Sequence, residues 1–403
     1  MRRIIGFLIC TLLFVSCSNE IPEKRIIERG GRTVLAYLVA NNASGDLGTY
    51  LKENVEDMYE ALASSKDSCT LLVYYRPAVS DRTVPNPLLL EFLCDGQGRI
   101  NGQTALLGRE ADFEHILEQA HCIKEYREPT HSAVNPQTMK RIFRDMQEVV
   151  PSDSYGLILG SHASGWLPGT PVEPRAFGDD AGFNIDIPQL ADVLSSVFPS
   201  KLDFILFDAC MMGTAEVCYE LKDVTRYCVA SVMETPAYGF PYDDILLELY
   251  KPQVDFRLVC SQFISFNESE NAWGTCAAFD CSQIEELALA VKTELAQSTV
   301  QWTDFDYTSV QQYGLGSFQY FSFDVADFFR ELHGGVESPL IEAALQQVVV
   351  AKDCLSDSKY YPVDETRFCG IGMYYPKLEK SWNPYYKASI SWYQAVGWEQ
   401  VIN

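Results

Sequence analysis

The most constraining feature of the chain is a repeated alternation of short apolar runs with amphipathic helix patterns. The runs RTVLAYLVANN (32–42), YGLILG (155–160) and LDFILF (202–207) are typical of strands, and YGLILG is apolar enough to be buried on both faces. A helix pattern at 136–149 has its apolar residues on one face. This alternation indicates βαβ units and a mostly parallel sheet. We therefore predict an α/β fold in one domain that carries a C-terminal extension.

Two of the predicted strands end in chemically reactive residues. YGLILG continues into SHASGW, which places His162 beyond one strand, and LDFILF continues into DACMMG, which places Cys210 beyond the next. Ligands bind beyond the carboxyl ends of strands in an open parallel sheet, and the ends of neighbouring strands lie about 5 to 10 Å apart. A histidine or a cysteine alone at such a place is more often structural. Together they favour nucleophilic catalysis, because a thiol needs a base to accept its proton.

The backbone around Cys210 offers further support for a nucleophile. A helix pattern follows Cys210, and we expect its N-terminal dipole to favour the thiolate. We expect the backbone N–H groups of Ala163 and Cys210 to form the site that stabilises the oxyanion of a tetrahedral intermediate.

The two motifs SHASGW and FDACMMG resemble those of the clostripain-type cysteine peptidases, relatives of caspases, legumains, gingipains and separases. His162 precedes Cys210 by 48 residues, close to the spacing of about 50 in caspases. The resemblance continues through ASVMETPAYGFPYDDIL, FSFDVADFFREL and GIGMYYP, and so covers most of the chain. The chain departs from the family at Ala163, where glycine is usual, and at Asn41, where aspartate is common.

The resemblance implies a caspase-like α/β/α sandwich and cleavage of peptide bonds after basic residues. It assigns His162 as the general base and Cys210 as the nucleophile. Asp208 matches the family's acidic residue at the floor of the S1 pocket, where a carboxylate pairs with the side chain of Arg or Lys. The alternative role for Asp208 is capping of the helix that follows.

The resemblance also suggests activation by cleavage, since several family members are zymogens cut after a basic residue between histidine and cysteine. Arg175 is the only Lys or Arg between Arg144 and Lys201, and it lies in the loop LPGTPVEPRAFGDDAG. We predict processing after Arg175. The alternative is an ordinary surface arginine in a long loop.

The N-terminus has the pattern of an export signal. Arg2 and Arg3 precede an apolar run at 4–15, and Ser16 precedes Cys17. This pattern resembles a bacterial lipobox and predicts a lipoprotein of the cell envelope, at the outer membrane or the cell surface, with Cys17 lipidated. The alternative is an ordinary cleaved signal. The predicted segments are a signal peptide (1–16), a lipidated tether (17–31), a peptidase core (32–265) and a C-terminal part (266–403).

Composition excludes some classes of function. The net charge of −24 argues against a nucleic-acid surface, because phosphate binding needs clustered Lys and Arg. The acidic segment FGDDAGFNID, with Asp179, Asp180 and Asp186, does not fit an EF-hand, so calcium binding is unsupported and no metal or cofactor is predicted. Of the 13 cysteines, those within apolar runs, such as Cys228 and Cys276, are expected to be buried, with at least one free thiol.

Two other functions remain open on the sequence alone. A catalytically inactive peptidase-like lipoprotein that binds proteins or peptides is favoured by Ala163 and opposed by the presence of His162, Cys210 and Asp208. An acyltransferase or amidase with the same dyad differs only in what accepts the acyl group.

Overall fold

The computed structural model of the protein describes residues 31–42, 47–127, 132–168, 176–300, 302, 304–314, 321–359, 361–378 and 380–402. The predicted signal peptide (1–16), the lipidation candidate Cys17 and the processing candidate Arg175 lie outside the described residues, as does the tether up to residue 30. Among the described helices, none is long and apolar enough to cross a membrane.

Strands and helices alternate along the chain, as predicted. The strands are β1 (Thr33–Val39), β2 (Ser68–Arg76), β3 (Leu88–Asp95), β4 (Arg99–Ile100), β5 (Gln103–Thr104), β6 (His121–Glu125), β7 (Tyr155–Gly160), β8 (Phe177–Asp180), β9 (Phe183–Ile185), β10 (Leu202–Asp208), β11 (Thr225–Ala230), β12 (Thr275–Asp280), β13 (Phe323–Asp324), β14 (Val349–Cys354) and β15 (Gly372–Met373). The helices are α1 (Leu47–Ser64), α2 (Phe113–Gln119), α3 (Pro136–Val149), α4 (Ile187–Val197), α5 (Ala215–Leu221), α6 (Tyr242–Leu249), α7 (Phe256–Ser269), α8 (Ile284–Gln297), α9 (Val325–Leu332), α10 (Pro339–Val348), α11 (Asn383–Ser389), α12 (Ser391–Ala395) and α13 (Trp398–Val401).

The central sheet has the strand order β14–β12–β11–β10–β7–β1–β2–β3–β4–β5, with β6 paired to β3. The central strands β11, β10, β7, β1 and β2 run parallel. Antiparallel strands flank them on both sides, beginning with β12 on one side and β3 on the other. The strands β12 and β14, from the predicted C-terminal part, extend the same sheet as the core strands.

Helices cover both faces of the sheet, and β1 shows why. Its odd-numbered residues Leu35, Tyr37 and Val39 belong to a core that also contains side chains of α3, α4, α5 and α8. The even-numbered residues of β1 belong to a second core, which includes side chains of α1, α6 and α7. Because side chains alternate across a strand, an apolar run such as β1 needs an apolar layer on each face. The predicted α/β/α sandwich is confirmed.

The strand order has a switch point at β1. In the sheet, β2 lies on one side of β1, and β7 and β10, which come later in the chain, lie on the other side. In an open α/β sheet, a crevice for ligands forms at such a point, outside the carboxyl ends of the strands. The loops that follow β1, β7 and β10 therefore meet at the edge where a site is expected.

Candidate active site

The register of β7 and β10 aligns the two reactive residues. Gly160 and Asp208 are the last paired residues of these parallel strands, and His162 and Cys210 each lie two residues further along the chain. Hydrogen-bonded strands lie about 4.8 Å apart. The two residues therefore enter the same edge of the sheet from adjacent strands, as the sequence predicts.

The backbone of the loop that carries His162 is anchored on two sides. The hydroxyl of Ser161 donates to the carbonyl of Val39 at 2.9 Å, which ties the loop to the end of β1. The N–H of Gly178 on β8 donates to the carbonyl of His162 at 2.9 Å. The residue itself is exposed, so the ring faces solvent on a backbone that is fixed at both points.

Asn42 holds one nitrogen of this imidazole. The side-chain nitrogen Nδ2 of Asn42 lies 2.8 Å from Nε2 of His162, and Asn42 is only 6% exposed. Since Nε2 is engaged, Nδ1 is the ring nitrogen left to exchange a proton with a thiol. The sequence reasoning missed Asn42. Its signal was its place three residues beyond the end of β1, the strand beside β7.

The adjacent residue, Asn41, departs from the family pattern for a visible reason. Its side chain donates to the carboxylate of Asp180 and accepts from the N–H of Val79 at 2.9 Å. Asp180 is buried and also forms an ion pair with Arg76 at 3.1 Å. An aspartate at position 41 would place a second carboxylate against Asp180, whereas an asparagine donates to it.

The acidic segment around Asp180 is engaged within the fold. Asp179 accepts a hydrogen bond from the N–H of Gly182 at 2.8 Å, and Asp186 immediately precedes α4. In the part of the chain that the structure describes, no group of at least three His, Cys, Asp or Glu side chains is arranged to hold a metal ion.

The Cys210 sulfur is half-buried and contacts one residue of the loop after β11. The N–H of Thr235 donates to Sγ at 3.4 Å, and Sγ donates to the Thr235 carbonyl at 3.8 Å. Burial raises the pKa of the Cys210 thiol to about 11, the N–H groups of Thr235 and Ala163 lower it, and the carboxylates of Glu234 and Asp208 raise it. The thiol is therefore neutral at pH 7 in the substrate-free protein.

The prediction that a helix dipole favours the thiolate of Cys210 is wrong. The helix α5 begins at Ala215, after a cap in which the Thr214 side chain accepts from the N–H of Val217. Between Cys210 and α5 the chain turns at Met211, whose φ is 60°. Because the dipole acts within the first turn of a helix, a residue five positions before α5 gains little from it. The nearby backbone N–H groups take this role.

Asp208 is buried at the end of β10 and is bound by residues from two other elements. Its Oδ2 accepts from Nδ2 of Asn54 on α1 at 2.8 Å and from the hydroxyl of Tyr242 on α6 at 3.0 Å. Burial raises its pKa to about 6, and these two donors, together with the N–H of Phe240, lower it. The alternative role as a helix cap is wrong, since Thr214 caps α5.

Gly239 leaves room for this carboxylate. A Cβ at position 239 would lie 2.4 Å from Oδ2 of Asp208 and 2.7 Å from Nδ2 of Asn54, and Gly239 has φ of +73°. Both the contact and the backbone conformation require glycine.

Ala163 keeps its N–H directed at the site. This N–H lowers the pKa of the Cys210 thiol, although burial has the larger, opposite effect. Its methyl group packs against the core shared by α3, α4 and α5. The methyl group that distinguishes Ala163 from the usual glycine therefore contacts the core.

The fold and the thiol and imidazole at adjacent strand ends define a caspase-like cysteine peptidase. The model of the clostripain family, peptidase family C11, matches residues 36–403, and the chain belongs to this family. No curated protein matches the sequence significantly.

Solved structures of this class have the same fold. A secreted C11 cysteine protease from Bacteroides thetaiotaomicron, in complex with an irreversible peptide inhibitor, is 23% identical with a TM-score of 0.71, covering 92% of this chain and 99% of that one. An inactive zymogen C11 protease from Parabacteroides distasonis is 23% identical with a TM-score of 0.67, covering 91% of this chain and 97% of that one.

Proposed function

We propose that the protein is a cysteine endopeptidase that hydrolyses peptide bonds after Arg or Lys, with His162 as general base and Cys210 as nucleophile. The observation that carries the proposal is the register of β7 and β10, which places both residues two positions beyond a paired strand end. Membership of the clostripain family supports the same reaction class.

The reaction uses side chains and backbone amides of the chain throughout. Nδ1 of His162 accepts the thiol proton of Cys210 as Sγ attacks the scissile carbonyl carbon. The N–H groups of Ala163 and Cys210 stabilise the resulting oxyanion. The imidazolium then protonates the leaving amine, and the substrate acyl group remains on Sγ as a thioester. Water, deprotonated by His162, hydrolyses the thioester and restores the thiol.

Selection of a basic P1 residue rests on Asp208. Its carboxylate lies two residues before Cys210 and is fixed by Asn54 and Tyr242. A buried carboxylate with fixed donors is a strong partner for the planar guanidinium of Arg, and it also attracts the ammonium of Lys.

Hydrolysis of fluorogenic peptides tests the proposal. Residues 18–403 are assayed with peptides that carry Arg, Lys, Asp or Leu at P1, beside the Cys210→Ala variant. Cleavage after Arg and Lys that disappears in the variant is expected. Cleavage only after Asp or Leu would refute the proposed role of Asp208 in binding the P1 side chain. Cleavage that persists in Cys210→Ala would refute the assignment of Cys210 as the nucleophile.

Cleavage after Arg175 is proposed as the activating step. A zymogen among the solved relatives supports it. The next residue, Ala176, is buried with φ of 82°, and its N–H donates to the Ser164 hydroxyl at 3.1 Å. Because of this contact, Ala176 must separate from Ser164 before a peptidase can bind the bond. N-terminal sequencing after incubation should find a fragment beginning at Ala176, and the Arg175→Ala variant should lack it. The same fragment from Cys210→Ala protein incubated alone would show that cleavage is not self-processing.

Export to the cell envelope through a lipid on Cys17 is the remaining part of the proposal. The N-terminal pattern supports it, and one solved relative is described as secreted. Metabolic labelling with an alkyne fatty acid should mark the protein in the producing bacterium and fail in the Cys17→Ala variant. Equal labelling of both would show that another residue carries the lipid.

An inactive binding protein is the second candidate, favoured by the raised pKa of the Cys210 thiol and by Ala163. A peptidyl acyloxymethyl ketone with Lys at P1 separates the two functions. A peptidase forms a covalent adduct at Cys210, whereas a binding protein leaves this thiol unmodified.

A further inference from the structure

The loop that carries Cys210 pairs with the segment that follows β11. Residues 209–213 and 231–235 run antiparallel, with the N–H of Met211 donating to the carbonyl of Met233 at 2.9 Å. The N–H of Gly213 donates to the carbonyl of Ser231 at 2.7 Å. We call this pair of segments the Cys210 ribbon. It extends beyond the central sheet and ends beside the nucleophile.

Thr235 occupies the end of the ribbon and makes three contacts with residues 209 and 210. Its hydroxyl donates to the carbonyl of Ala209 at 3.1 Å. Its N–H donates to Sγ of Cys210 at 3.4 Å, and its carbonyl accepts from Sγ at 3.8 Å. Pro236 follows, and a residue before proline is restricted to extended conformations. The side-chain bond and the proline both hold the Thr235 peptide against the sulfur.

These contacts act differently on the thiol and on the thiolate. A neutral thiol donates to the Thr235 carbonyl and receives only a weak bond from the N–H. Once His162 removes the proton, the N–H faces a sulfur anion, and a hydrogen bond to a charged acceptor is roughly twice as strong. Burial of Cys210 disfavours the anion, so each N–H directed at the sulfur offsets part of that cost.

We propose that Thr235 is a positioning residue of the peptidase, whose hydroxyl bond to Ala209 holds its own N–H against Cys210 and so stabilises the thiolate. The inference rests on the proposed function in one respect, which is that Cys210 attacks as a thiolate. It gives a role to a residue of the family-like segment ASVMETPAYGFPYDDIL that the strand-end pattern does not single out.

The test compares Thr235→Val, which removes the hydroxyl and keeps the shape, with Thr235→Ser, which keeps the hydroxyl. The rate of alkylation of Cys210 by iodoacetamide is followed by mass spectrometry of the peptide that contains it, from pH 6 to pH 11. Because the pKa of the Cys210 thiol is about 11, the rate in this range follows the small thiolate fraction, and we expect Thr235→Val to react about fivefold more slowly than wild type, with Thr235→Ser close to wild type.

Peptide hydrolysis provides the second readout. With a P1 Arg peptide, Thr235→Val should lower kcat by a similar factor and leave KM unchanged, because the thiolate forms after substrate binds. Thermal melting of both variants reports on folding. A wild-type rate of alkylation across this pH range in a folded Thr235→Val variant would overturn the inference.

The two proposals can fail separately. If no peptide is cleaved but Thr235→Val slows the alkylation of Cys210, the Thr235 inference holds and the peptidase proposal fails. If hydrolysis depends on Cys210 while Thr235→Val alkylates as wild type does, the peptidase proposal holds and the Thr235 inference fails.

Discussion

The proposed preference for a P1 arginine should depend on pH through Asp208 alone. The test compares two peptides that differ only at P1, one with Arg and the other with citrulline, its uncharged isostere. In the proposed mechanism both peptides use His162 and Cys210, so the titration of the dyad cancels in the ratio of their kcat/KM values. The remaining pH dependence reports the ionisation of the group that binds the positive charge in the free enzyme.

The structure sets the size of this effect. The pKa of Asp208 is raised to about 6, because burial outweighs the donors Tyr242 and Asn54. About nine in ten Asp208 carboxyls are then ionised at pH 7, and about one in ten at pH 5. The Arg-to-citrulline ratio should therefore fall about tenfold between these pH values, with a midpoint near 6.

Two variants sharpen the test. Tyr242→Phe removes a donor to the carboxylate and should move the midpoint up by about one pH unit. Asp208→Asn should show a small ratio that does not change with pH. A ratio in wild-type enzyme that stays constant from pH 5 to pH 8 would refute Asp208 as the residue that selects the substrate.

Three further outcomes follow from the same contacts. Asp208→Asn should raise the free energy of unfolding at pH 7 by up to about 3 kcal/mol and have little effect at pH 4, as measured by urea titration. The reason is that the folded protein binds the Asp208 proton more tightly than the unfolded chain does. The wild-type protein therefore loses stability as the pH rises from about 4 to about 6. Asn42→Ala should lower kcat about tenfold at unchanged KM, because the His162 ring loses its partner on Nε2; an unchanged kcat would contradict this. Gly239→Ala should cost at least about 1 kcal/mol of stability and reduce the Arg-to-citrulline ratio by displacing Asp208, measured by thermal melting and by the peptide pair.

The sheet and the placement of the two reactive residues could be predicted from local patterns. Apolar runs of strand length that alternate with helices determine a parallel centre, and a residue directly after such a run must lie at its carboxyl end. His162 and Cys210 follow from this rule together with the family motifs. The sequence does not predict the register between β7 and β10. The structure shows that each of the two residues lies two positions beyond the last paired residue of its strand.

The partners of these residues could not be predicted in the same way. Asp208 is bound by Asn54 and Tyr242, which lie 154 residues before it and 34 residues after it, on helices whose packing the local sequence does not determine. Thr235 reaches Cys210 only through the Cys210 ribbon. The expectation of a helix dipole at Cys210 failed because the chain makes an extra turn at Met211 before α5 begins.

The adjacency of β7 and β10 determines what a cut after Arg175 does to the whole molecule. These neighbouring strands lie on opposite sides of that bond, with β7 also paired to β1. Cleavage would leave two polypeptides joined through the middle of one sheet, and they should migrate together until denatured. Unfolding then becomes a dissociation, so the melting temperature of the cut protein should depend on its concentration while that of the intact chain does not. Activation of this kind exchanges a single-chain protein for a heterodimer whose two subunits each supply one half of the catalytic pair.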